Sequence, residues 1–209
     1  MALSKTWTLT KLQSFLRVLV NEIAPDKVQD LSLVDFLNLA TQDVAEMLAA
    51  ASLPEYGTTA TVTESAGVID VSNLVIDKVI KIVDGTNGLA SPKPDFAYEN
   101  LSNIDQYKDS LFYNWFGDKI YLFIGSNLTK GTLTLYYYRQ PTLLSSGSDY
   151  IDISDKYVSL VIAKAKTMIY EQLNRMAPEA LTSLIESKTA EIRRLNREET
   201  ADVNKRQAK

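Results

Sequence analysis

The chain has no cysteine and no histidine among its 209 residues. That excludes disulfides, thiolate nucleophiles, thiolate and imidazole metal sites, and Ser-His-Asp triads. An acid or base working near neutral pH would need a strongly shifted Glu, Asp or Lys, because only His has its unperturbed pKa there. No 18 apolar residues run without interruption, and Met1-Ala2-Leu3-Ser4-Lys5-Thr6-Trp7 is not a stretch of signal-peptide length. The expectation is a protein made and kept in a cytosol, with no membrane contact. Stability then rests on packing, for which 45% hydrophobic residues suffice: a chain this long removes roughly two-thirds to 70% of its unfolded surface from water.

A basic stripe is also missing. The net charge is -4, from 22 basic and 26 acidic residues. Residues 151–209 hold 11 Lys+Arg against 9 Asp+Glu, leaving 11 against 17 for residues 1–150. An acidic body with a slightly basic end is not the footprint of a dedicated DNA-binding domain.

What is present is an order of elements. Leu12, Phe15, Leu16, Leu19, Val20 and Ile23 keep helical spacing, with Thr8 or Thr10 as cap and Pro25 as stop. A second helix is predicted from Ser32, its cap, through Phe36, Leu37, Ala40, Val44, Met47, Leu48 and Ala51 to Pro54. Residues 8–53 thus read as a helical hairpin. Thr58–Thr63, Val68–Val71 and Lys78–Val83 read as strands, and residues 85–95 as an exposed loop. Leu111–Phe116, Lys119–Ile124 and Thr132–Tyr138 are spaced as an antiparallel meander. After Pro141 a polar loop leads to a helix capped by Ser154 or Asp155, with Val158, Val161, Ile162, Ala165, Met168, Ile169 and Leu173 on its apolar face. Pro178 opens a last helix with a narrow seam of Leu181, Leu184, Ile185, Ile192 and Leu195.

The predicted fold is therefore α+β: about four helices with a central antiparallel β-rich insertion and an extended carboxy-terminal tail. The division is one domain over residues 1–196 (hairpin 8–53, insertion 58–139, helices 154–196) and a tail over 197–209.

Four groups invite a functional reading. Asp149, Asp152 and Asp155 bring three carboxylates together, but a calcium loop needs a turn glycine and a terminal bidentate Glu that are out of register, so they read as turn and cap residues. Gly85-Thr86-Asn87-Gly88 lacks the Gly-Lys-Ser/Thr ending of a phosphate loop and reads as a turn. Tyr136-Tyr137-Tyr138-Arg139 has the composition to stack bases, but alternation puts Tyr136 and Tyr138 on one face and Tyr137 on the other, the pattern of core plus subunit contact. The basic residues Arg193, Arg194, Arg197, Lys205, Arg206 and Lys209 leave two readings open, a solvated helix end or a docking arm that orders on a partner. No catalytic residue, cofactor or metal ligand is nominated.

The run Leu133-Thr134-Leu135-Tyr136-Tyr137-Tyr138-Arg139-Gln140-Pro141, then a polar turn, Asp149-Tyr150-Ile151-Asp152-Ile153 and Lys156-Tyr157-Val158 entering an alanine-bearing helix, resembles the head-to-tail connector (adaptor) proteins of tailed bacteriophages. The resemblance covers roughly residues 10–175. It implies a virion protein, assembled in the host cytoplasm, that forms a ring of typically twelve copies in the neck. That ring sits below the portal protein, above further neck or tail proteins, and around the channel through which double-stranded DNA leaves on ejection. Portal binding through the carboxy-terminal basic residues and subunit contact through Tyr136, Tyr138 and Arg139 are the expected roles. Another neck, tail-completion or gatekeeper ring is the alternative, followed by a cytosolic ligand- or nucleic-acid-binding domain.

Overall fold

Leu9, Leu12, Leu16 and Val20 fall three or four residues apart, and in the computed structural model they form the buried stripe of α1 (Leu9–Ile23). The structure describes residues 6–23, 28–53, 56–93 and 107–207, with backbone alone for 22, 23, 31 and 196–207. Thr8 caps α1: its hydroxyl accepts the Lys11 N–H at 3.3 Å.

The second helix, α2 (Asp30–Ala50), begins before the expected Ser32. Gln29 stands at its N-cap without a side-chain bond. The start is fixed from outside the helix instead, because the Arg17 guanidinium of α1 donates to the Val28 carbonyl at 2.8 Å and pairs with Asp30. Pro25 and Pro54, the expected stops, lie outside the described residues. What ends α2 is a left-handed residue, Ser52 (φ 55°), with the Leu53 N–H bonded to Leu48 O and the Ser52 N–H to Ala49 O. The same motif closes α3 (Asp155–Gln172): Asn174 (φ 53°) is left-handed, and Arg175 N–H reaches Tyr170 O at 2.9 Å. α4 (Glu179–Gln207) starts where Pro178 O accepts the Leu181 N–H at 2.9 Å. Its backbone stays helical past Arg197, through most of the segment read from sequence as a tail.

The chain divides into two compact units, Met1–Tyr56 with Pro141–Lys209, and Gly57–Gln140. In the first, α2 packs on α3, α1 touches both, and α4 lies on α3 and the end of α2. Leu33, Leu37, Ala40, Val44 and Leu48 of α2 and Tyr157, Val158, Leu160, Val161, Ala165 and Ile169 of α3 supply the core. Lys164 bridges to Asp43 at 3.1 Å at its edge.

The second unit holds β1 (Gly57–Val62), β2 (Glu64–Ser65), β3 (Val68–Asp70), β4 (Ile76–Asp84), β5 (Gly88–Leu89), β6 (Ser91–Pro92), β7 (Leu111–Phe116), β8 (Lys119–Ile124) and β9 (Leu133–Arg139). β7 and β8 form the expected hairpin, turning at Gly117 (φ 57°). The meander does not continue. β9 leaves β8 and becomes the centre of a sheet ordered β1-β9-β4-β5, while β8 pairs with β3 in a sheet ordered β2-β3-β8-β7-β6. In that place β9 has both rows of backbone groups paired, with β1 on one side and β4 on the other, while Leu133, Leu135 and Tyr137 fill the core from one face. The expected exposed loop 85–95 also carries the short strands β5 and β6, the latter parallel to β7. Ile69, Val71, Ile82, Leu111, Tyr113, Ile120, Leu122, Leu133, Leu135 and Tyr137 share one core, so the two sheets face each other across it.

Candidate functional site

The segment that follows β9 is held by separate contacts to its backbone, not by its three carboxylates converging on one point. Asn38 of α2 both donates to Leu144 O (3.0 Å) and accepts the Leu144 N–H (2.8 Å), gripping one residue of the loop from two directions. The Asp149 carboxylate folds back onto the Ser146 and Ser145 N–H groups at 2.7 and 2.8 Å, and these bonds hold its pKa below 3.8. The tightened loop then turns its carbonyls to α1: Asp149 O accepts the Leu9 N–H at 2.8 Å, and Gly147 O accepts the Thr10 N–H at 3.2 Å and its hydroxyl at 3.0 Å. With Thr8 on Lys11, the N–H groups of Leu9, Thr10 and Lys11, which have no partner within the helix, are satisfied.

Asp152 is buried and accepts from the Thr142 N–H and hydroxyl at 3.4 Å, whereas Asp155 lies exposed in the first turn of α3. The three carboxylates thus do separate structural work. Among the described residues no group of three acidic side chains converges to hold a metal ion.

The tyrosine run divides as strand alternation requires. Tyr137 enters the core with Leu133 and Leu135. Tyr136 is half-buried under Lys81, whose ammonium lies 4.6 Å from the ring centre. Tyr138 is only 2% exposed, and Arg139 is half-buried. Of the residues expected at a subunit contact, Tyr136 and Arg139 therefore retain accessible surface, and Tyr138 is withdrawn.

Gly85-Thr86-Asn87-Gly88 is a turn built around Asp84, a residue the sequence gives little reason to notice. The buried Asp84 carboxylate accepts the Thr86 N–H (2.8 Å) and Asn87 N–H (2.9 Å) on Oδ1 and the Gly131 N–H (2.9 Å) on Oδ2. Burial pushes its pKa up, but the Gly131, Asn87 and Thr86 donors together outweigh that and hold it below 3.8. Its oxygens face protein amides, so the turn is not a phosphate cradle.

On α4, Ile192 is buried while Arg193 and Arg194 are exposed. Ile192, Thr189 and Arg193 line a shallow groove of about 250 Å³ with Met47, Ala50 and Ala51 of α2. Leu184 remains 38% exposed, so the outer part of the apolar seam is uncovered. Arg197, Lys205 and Arg206 lie on the helical backbone beyond, and Lys209 falls outside the described residues. No described helix is long and apolar enough to cross a membrane.

A family model described as SU10 adaptor protein matches residues 7–207, spanning both units and all of α4. No curated protein matches the chain.

Proposed function

The chain belongs to the SU10 adaptor protein family and is thereby a structural adaptor of a phage virion that interacts with other phage structural proteins; on that premise we propose that it forms a ring joining the capsid portal to the tail. The observation that carries the reading is the extent of the match, residues 7–207. The ring is read as dodecameric and as surrounding the DNA exit channel in the neck, with assembly in the host cytoplasm and no enzymatic step.

Two features support it. Arg193 and Arg194 stand exposed on α4, leading into Arg197, Lys205, Arg206 and Lys209, a set suited to docking on the portal. The acidic balance of residues 1–150 suits a wall past which DNA slides, since like charge keeps phosphates from sticking. Tyr136 and Arg139 are assigned to contact between neighbouring copies.

Electron microscopy of the purified chain with and without assembled portal tests the proposal. Rings stacked coaxially on the portal are expected. Monomers that ignore the portal under all conditions would overturn it, and rings that bind only lower in the neck would move the chain to a gatekeeper position.

A further inference from the structure

Each β-sheet ends in two strands whose outer backbone groups invite another strand, and proteins ordinarily blunt them with short strands, proline, lysine or bulges. Among the described residues of the Gly57–Gln140 unit, three of the four edges are blunted in these ways. β2 and β6 are two residues long, and β6 contains Pro92. β5, also two residues long, is the edge beyond β4 and covers it only at Val83 and Asp84; the rest of β4 carries Lys78 and Lys81 and shifts register twice against β9.

β1 has none of these devices. Its sequence, Gly57-Thr58-Thr59-Ala60-Thr61-Val62, is uncharged, free of proline and rich in β-branched residues. It pairs with β9 over six successive residues without a register shift. None of the six is buried, and among the described residues they make no hydrogen bond beyond that pairing. About three N–H and three C=O groups of a six-residue strand point away from its single partner.

We propose that the free edge of β1 is a docking site for an extended segment of another virion protein, which adds to the sheet as a fifth strand. The occupant's chemistry follows from register. Thr58, Ala60 and Val62 stand opposite Tyr137, Leu135 and Leu133 on the core-facing side, whereas Thr59 and Thr61 stand opposite Tyr136 and Thr134 on the other. A matching segment alternates apolar and hydroxyl-bearing or other uncharged polar residues over about six positions, with backbone bonds supplying affinity and the alternation supplying register. A second copy fits less well. Among the described residues its other edges are blunted, so two copies pairing through described strands would meet β1 to β1, a two-fold contact that closes a dimer and cannot propagate around a ring. The identity of the occupant as a virion protein rests on the adaptor reading above.

Amide hydrogen exchange over residues 57–62 tests this in the purified full chain and in intact virions that carry it. In the free chain about half the β1 amides should exchange freely, and in virions all should be protected. The double substitution Thr59→Lys, Thr61→Lys, on exposed side chains, should keep the melting transition of the free chain but abolish the added protection in virions. Unchanged exchange in virions that contain the chain overturns the docking edge while leaving the ring intact. Protection already complete in purified rings overturns the choice of occupant in favour of a second copy, and absence of the chain from virions overturns both proposals.

Discussion

Removing the Asp84 carboxylate should loosen the Gly57–Gln140 unit far more than a loop substitution ordinarily does. The side chain satisfies three backbone donors from two segments, Thr86 and Asn87 on one side and Gly131 on the other. Each hydrogen bond to a charged group contributes about 1.5–3 kcal/mol, and each buried donor left unmade costs about 1–3 kcal/mol. Thr86 is exposed, so water replaces the carboxylate there, whereas the Gly131 donor is part-buried. Asp84→Ala should therefore cost about 3 kcal/mol in total, and Asp84→Asn about 2 kcal/mol, because the amide turns a donor toward the Gly131 N–H. At a urea slope of about 1.5 kcal/mol/M, the alanine variant should unfold at a midpoint about 2 M lower. Trp115 fluorescence in a Trp7→Phe background confines the signal to this unit. The folded-state pKa is depressed, so the contribution is fully present above 3.8 and is lost as pH falls through the lower folded-state value. The wild type should weaken on acidification through that range by more than Asp84→Asn does. Equal midpoints for wild type and Asp84→Ala, or identical acid profiles for wild type and Asp84→Asn, would refute the reasoning.

Gly131→Ala should destabilise the same clasp, since its Cβ would sit 2.5 Å from Asp84 Oδ1 and Thr86 Oγ1; a thermal melt should show a loss comparable to that of Asp84→Asn. Ile192→Ala removes the buried anchor of α4 and should cost about 2–4 kcal/mol of the local docking, read as faster amide exchange along residues 185–195. Asp149→Ala frees the Ser145 and Ser146 N–H groups, and the Leu9 and Thr10 amides should exchange faster by NMR; no change would mean that the loop holds α1 without its carboxylate. Arg193→Ala with Arg194→Ala should weaken the proposed binding to the portal about 2- to 30-fold at low salt, at about 0.2–1 kcal/mol per exposed charge, with the difference shrinking as salt rises.

The helices were legible because their burial is written in local spacing. Leu12, Leu16 and Val20, or Leu37, Ala40, Val44 and Leu48, announce a face before any partner is known. Their boundaries were less legible wherever a distant residue decides them: α2 begins at Asp30 on account of Arg17 and stops on the left-handed Ser52, and neither is signalled locally. The positions of the longer strands were equally readable, but those of the two-residue strands β2, β5 and β6 were not, nor was strand pairing. Leu111–Phe116 and Lys119–Ile124 pair through a two-residue turn whose length dictates its outcome, whereas eight residues separate β8 from β9 and dictate nothing. Burial of Leu133, Leu135 and Tyr137 on one face of β9 told which side meets the core but not which strands flank it, because face burial and edge pairing are separate properties of a strand.

The same distinction explains the surfaces. Composition showed the acidic body and the basic end, since charge is additive along a chain. It did not show Asp84, whose role exists only once Gly131 is folded against Thr86, nor that Tyr138 is withdrawn while Tyr136 keeps accessible surface. The unguarded edge of β1 was hidden for the same reason. Gly57–Val62 reads as an ordinary strand until the strand order places it last, and only then does its length without charge, proline or bulge stand out against the two-residue edges β2, β5 and β6. An edge left unblunted beside three that are blunted is best explained by a use for it, because an exposed flat strand otherwise exposes the chain to aggregation.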